Sequence, residues 1–317
     1  MPNSLAHSLV IKRFYLKEGG TNGARFCDTF LRHNYEFLNL GSFGPDPLFV
    51  MGLLPFHLHL LTAKKRLGNR LHKLDGKKFF NDMIAETYRM DYETEKKAFQ
   101  AFIFGQFAHY LLDREAHPFI LYYSGFDEEG KITGKYHYRH AYLEQQIDFL
   151  LAEKYGIEGY VKDPGSLYTD RRSVLHVIDE HWVPALEAVF GEPKLPNDLY
   201  SNAIHNQIRL QRFMNRQGHF KATLFGKNNL GALALPYWDS PIEVLNDAHN
   251  EWLDPVSGEK HYESFYDLHS RAIQILCDCY YDVLKYGFHY HTFEKYLNGL
   301  DYYGEPVGAK WVYHKED

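Results

Sequence analysis

The chain is poor in cysteine, in clustered basic charge and in long apolar runs. Of 317 residues only Cys27, Cys277 and Cys279 are cysteines. An odd number without framework spacing argues against a disulfide-stapled secreted domain and for a reducing compartment. Cys277-x-Cys279 lies in an apolar helical run and reads as two core thiols. Lys and Arg number 35 against 41 Asp and Glu, a formal charge of −6, which leaves no basic footprint for duplex nucleic acid. No apolar run reaches the length of a membrane span, and Lys12 and Arg13 interrupt the N-terminal stretch too soon for a signal peptide. The expectation is a soluble, cytoplasmic protein. There is no His-Asp dipeptide, which counts against an HD-type phosphohydrolase, and no Glu-x-x-His, which counts against a carboxylate di-iron bundle.

Strand signals are scarce too, and most segments repeat apolar residues every three to four positions, so the fold class is all-α. Helices are expected at 4–17, 24–39, 56–73, 77–90, 92–116, 135–154, 170–190, 197–217 and 261–286. Asp91 would cap the fifth of these. A single domain, 1–317, is expected, with a metal-binding core at 1–155 and a helical extension at 156–317. Within the extension, 226–258 is a Gly-, Asn-, Asp- and Pro-rich loop with Trp238 and Trp252, read as either a lid or an ordinary docking loop.

The chemistry is concentrated in residues 104–120, FGQFAHYLLDREAHPFI. His109, Asp113 and His117 recur every fourth residue, so on a helix they share one stripe. They stand among Phe102, Phe104, Phe107, Leu111 and Leu112, where an unpartnered carboxylate is costly and a divalent metal would satisfy it. His109 and His117 would lie about 12 Å apart on a continuous helix, too far for one ion. Pro118 disfavours helical geometry at His117, so the helix is expected to end there and to hand His117 to a second metal. His140 and Glu144 form another i, i+4 pair; alone they read as a solvated helix face, but after the first stripe they become ligand candidates. The histidines of the second half (His176, His181, His205, His219, His249, His261, His269, His289, His291) have no trusted carboxylate spacing and read as ordinary.

H-x-x-x-D-x-x-x-H-P followed by H-x-x-x-E resembles the zinc-dependent phospholipase C family, relatives of the single-strand-specific zinc nucleases. The likeness extends to Ala6-His7, to the turn Leu40-Gly41-Ser42-Phe43-Gly44-Pro45-Asp46, and to His72 before Phe79-Phe80; it is weaker over 248–272. The resemblance implies one zinc at Asp46, His72, His109 and Asp113, a second at His117, His140 and Glu144, and a third joining His7 to a bridging Asp113, so two or three Zn²⁺ ions. Two departures stand out. Secreted members begin with a tryptophan whose amino group binds metal, which is missing here. The interval from Asp46 to His72 is also long, and contains His59 and His57 as alternatives to His72.

Clustered zinc would activate water for attack on a phosphodiester, with Asp46 as ligand or general base. The expected activity is phospholipase C-like hydrolysis of a small-molecule or lipid phosphodiester. The rivals are a single-strand nuclease and a metal-stabilised binding module without turnover. Tyr122, Tyr123 and Tyr136 are candidates to line the cleft, though such residues are more often core.

Overall fold

The computed structural model describes residues 4–20, 29–51, 66–191, 194–215 and 243–315. Twelve α-helices and one two-residue hairpin (Trp252–Leu253 paired with Lys260–His261) are present among them, so the fold is all-α. No helix among the described residues is long and apolar enough to cross a membrane.

The helices are α1 (Ser4–Gly20), α2 (Thr29–His33), α3 (Tyr35–Gly41), α4 (Arg66–His72), α5 (Gly76–Thr87), α6 (Glu93–Ser124), α7 (Lys135–Lys154), α8 (Glu158–Lys162), α9 (Arg172–Phe190), α10 (Leu199–Asn215), α11 (Phe265–Tyr286) and α12 (Tyr290–Leu297). The expected 24–39 helix is broken at Asn34 in its described part. Asp91 does not cap α6: Tyr92 occupies the cap position without a side-chain bond. True caps occur elsewhere. Asp75 accepts from Lys77 N at 2.8 Å to start α5, and Ser264 with Asp267 forms a capping box on α11.

α6 is the axis of the molecule. Most of its residues from Ala98 to Leu121 are buried, as expected of a helix apolar on every side. Aromatic side chains sheathe it. Phe102 meets Trp182 of α9 and Tyr200 of α10, Phe104 meets Phe14 of α1 and Tyr280 of α11, and Phe107 meets Phe80 of α5 and Phe293 of α12. Cys277 and Cys279 are buried free thiols.

The expected end of α6 at His117 is wrong. The helix runs on through Pro118 to Ser124. A mid-helix proline forfeits the bond to the carbonyl four residues back, that of Arg114. Here Gly304, at φ +78°, packs on that carbonyl so closely that a Cβ would lie 2.3 Å from it, and on the Pro118 ring. The helix thus continues past Pro118 with Gly304 packed closely on the carbonyl that the proline leaves without its helical donor.

Candidate metal centre

α3 crosses α6 through glycine. A Cβ on Gly41 would stand 2.2 Å from Phe102 O, and one on Gly105 would stand 2.2 Å from Leu38 O. This crossing carries residues 42–46 directly over His109. Ser42 O accepts from His109 Nδ1–H at 3.0 Å. Gly44, at φ +54°, lies flat on the imidazole, where a Cβ would meet Cδ2 at 2.2 Å. Asp46 follows at the start of a 3-10 turn, Asp46–Val50. The Gly41, Gly44 and Asp46 positions of the turn thus serve a helix crossing, a ring contact and a carboxylate.

Three further elements converge there. α4 ends on His72, whose Nδ1–H donates to Gly68 O at 2.8 Å. Its Nε2 lies 3.2 Å from Asp46 Oδ1 and 3.5 Å from Asp113 Oδ2. α1 supplies His7, with Nε2 3.2 Å from Asp113 Oδ1 and its ring stacked on His109 at 3.9 Å. α7 supplies His140 and Glu144, with Glu144 Oε1 3.4 Å from His140 Nε2 and 3.8 Å from His117 Nε2. Both are buried, so their stretch is no solvated face.

The start of α1 is fixed by residues outside the ligand set. Asp148, one turn beyond Glu144, accepts from Leu5 N and Ala6 N at 2.9 Å each and from Tyr160 OH at 2.7 Å. His269, fully buried, donates from Nε2 to Ala6 O at 3.1 Å.

Three groups of side chains result, each with ligand atoms within 4.8 Å of one another: His7, His109 and Asp113; Asp46, His72 and His109; His117, His140 and Glu144. Asp113 lies between them, 3.0 Å from His109 Nε2 and 3.8 Å from His117 Nδ1. All eight residues named in the sequence therefore meet in one place. His117 reaches the third group from within a continuous helix. His57 and His59 lie outside the described residues.

The donor set fits zinc on two observations. Nδ1–H of His72, His109 and His117 each donates to a backbone carbonyl, the last to Tyr302 O at 2.6 Å. That fixes the tautomer with the Nε2 lone pair facing inward, as outer partners of ligating histidines do. Moreover Asp46 Oδ1, His109 Nε2, Asp113 Oδ2 and both His7 nitrogens are buried without a hydrogen-bond partner among the described residues, a cost that a cation would remove. Imidazoles and carboxylates without thiolate suit Zn²⁺.

Electrostatics agrees. Burial works against charge on Asp113, but His109, His117 and His7 hold its carboxyl well below the ordinary range. Asp46 is likewise lowered against its burial, by His109 and His72. His72 is opposed by burial yet raised to about 9 by Asp113 and Asp46. Burial lowers His7 and His140. The two carboxylates beside His72 thus favour its protonated form.

Other sequence candidates fall elsewhere. Tyr122 and Tyr123 line a separate recess with Glu243, Asn250, Glu251 and Lys315, and Tyr136 packs on Gly125 and His314. Trp252 is buried against Phe119 of α6; Trp238 and His219 lie outside the described residues. His181 pairs with Glu86 at 3.6 Å, and His176, His249 and His291 make exposed pairs. None of the described second-half histidines joins the three groups. Sequence reasoning missed Asp148, although it continues the His140, Glu144 spacing by four. It also missed Tyr302, for which no periodic signal existed.

A family model described as zinc dependent phospholipase C matches residues 5–190. Among curated proteins and among solved structures, none matches the chain.

Proposed function

Since the chain belongs to the zinc-dependent phospholipase C family, we propose that its clustered His, Asp and Glu residues hold two or three zinc ions and hydrolyse a phosphodiester, with a phospholipid headgroup ester as substrate. The observation that carries this reading is the sharing of Asp113, whose two carboxylate oxygens lie 3.0 Å from His109, 3.2 Å from His7, 3.5 Å from His72 and 3.8 Å from His117, histidines drawn from all three ligand groups. Such sharing suits closely spaced ions better than one isolated structural ion. Bound zinc supplies a hydroxide nucleophile near neutral pH and a counter-charge for the phosphoryl oxygens.

The chain's own residues then have distinct roles. His72, His109 and His117 present Nε2 in a tautomer set by backbone carbonyls, and need no reorientation on loading. Asp113 stays ionised between imidazoles. Asp46 has the most exposed side chain of the eight, at 14 %, so it stands at the solvent side. There its carboxylate is placed either to ligate or to accept the proton of the attacking water.

The test is hydrolysis of a chromogenic phosphodiester by metal-replete protein, with and without chelator, beside zinc per chain by elemental analysis. Two or three zincs with chelator-sensitive turnover are expected. Bound zinc that raises the melting temperature but supports no turnover on lipid or chromogenic esters would replace this reading with a metal-stabilised binding module.

A further inference from the structure

The turn Asp301–Glu305 lies more than a hundred residues beyond the family-matched region, yet it closes against the ligand cluster. Its path is set by two α6 side chains that directly follow ligands. Tyr110 OH donates to Leu297 O at 2.7 Å and Leu300 O at 2.9 Å, and Arg114 Nη1 donates to Tyr296 O. Gly304 seats on the Arg114 carbonyl left bare by Pro118. Asp301 Oδ1 ties the turn together, accepting from Tyr303 N at 2.8 Å and Glu305 N at 3.3 Å.

Tyr302 stands at the centre of this arrangement. Its carbonyl accepts from His117 Nδ1–H at 2.6 Å, and its N–H donates to His72 O at 3.1 Å. Its ring is fully buried, 5.1 Å from that of His72 and 5.9 Å from that of His109. Among the described residues its hydroxyl has no hydrogen-bond partner. A buried phenol left unpaired is costly, and tyrosine hydroxyls in cores usually find a partner.

We infer that Tyr302 belongs to the metal centre: its backbone positions His117 and His72, and its hydroxyl donates a hydrogen bond to an anionic oxygen held there, a phosphoryl oxygen in the first instance. This inference rests on the metal-centre reading above. Two substitutions separate the roles. Tyr302→Phe keeps the carbonyl and removes only the hydroxyl. Gly304→Ala drives a Cβ into Arg114 O and displaces the turn.

Zinc per chain and zinc affinity by chelator competition would be measured first, then inorganic phosphate binding to the zinc-loaded protein by calorimetry. Tyr302→Phe should retain zinc, melt in its metal-free form no lower than the parent, and bind phosphate about tenfold more weakly. Gly304→Ala should lose about 10–100-fold in zinc affinity, the usual cost of disturbing an outer partner of a ligating histidine. Parent protein that binds no zinc would sink the metal-centre reading itself. Parent protein that binds zinc and phosphate, with Tyr302→Phe binding phosphate equally well, would overturn the inference alone. If Gly304→Ala does not fold, Tyr302→Phe still decides.

Discussion

Replacing Gly105 by alanine should disable part of the metal centre without touching a ligand. Its Cβ would arrive 2.2 Å from Leu38 O and 2.8 Å from Gly41 Cα. Both obstacles are backbone, so no side-chain rotation relieves them. Ordinary contact begins near 3.4 Å, and α3 and α6 must part by about 1 Å to restore it. Overpacking of this kind costs about 1–3 kcal/mol. The larger consequence falls on Ser42, one residue past the end of α3. Its carbonyl sits 3.0 Å from His109 Nδ1, and a retreat of about 1 Å breaks that hydrogen bond. His109 then loses its fixed tautomer, and zinc affinity at the two groups containing it should fall about 10–100-fold. The group of His117, His140 and Glu144 takes no ligand from this crossing and should keep its ion. The assay is elemental analysis after stepwise dialysis against chelator, with circular dichroism to confirm folding. Gly105→Ala protein that retains every zinc at the parent's chelator concentration would show that the glycine crossing does not position the site.

Other outcomes follow from the same geometry. His109→Ala and Asp113→Ala should each lower zinc content and abolish hydrolysis, whereas His205→Ala, outside the three groups, should change neither; unchanged zinc in Asp113→Ala would refute the assignment. Asp148→Ala strands three buried donors (Leu5 N, Ala6 N and Tyr160 OH) and should cost about 3–6 kcal/mol. Thermal melts of the metal-free protein check it, and a loss under about 1 kcal/mol would show that water replaces the carboxylate. His72, raised from 6.5 to about 9 in the folded protein, stabilises the metal-free form fully below pH 6.5, and that contribution fades as pH rises through about 9. Zinc must displace this proton, so apparent zinc affinity should climb over the same interval. Calorimetry showing affinity independent of pH between 6.5 and 9 would contradict a His72 held protonated by Asp46 and Asp113.

Much of this was legible in the sequence, and for identifiable reasons. Helical periodicity and residue type together flagged His109, Asp113, His117, His140 and Glu144, because a four-residue repeat of polar groups in an apolar helix has few structural explanations. Order along the chain then recruited His7, Asp46 and His72 through resemblance. The behaviour of Pro118 was not legible. Local sterics argue for a break, and the segment that packs on the freed carbonyl, at Gly304, is nearly two hundred residues away. Tyr302 escaped for the same reason: its link to His117 is a backbone carbonyl, which carries no side-chain signature. Asp148 was within reach, since the spacing that exposed Glu144 repeats once more. Its role is hidden because a carboxylate serving a remote helix start looks, in sequence, like any other aspartate on a helix.

The unbroken run of α6 through Pro118 has a metrological consequence. Three of the eight ligand-type side chains are graduations on one rigid ruler about 48 Å long. Their intervals are set by helical rise and cannot adapt to the ion. Compliance must therefore reside in the partners brought by other elements: Asp46 on its turn, His72 at the last residue of a short helix, His7 near the start of α1. Exchanging zinc for a larger divalent ion should consequently shift those three residues and leave His109, Asp113 and His117 in register, a pattern that crystallographic comparison of two metal forms would read directly.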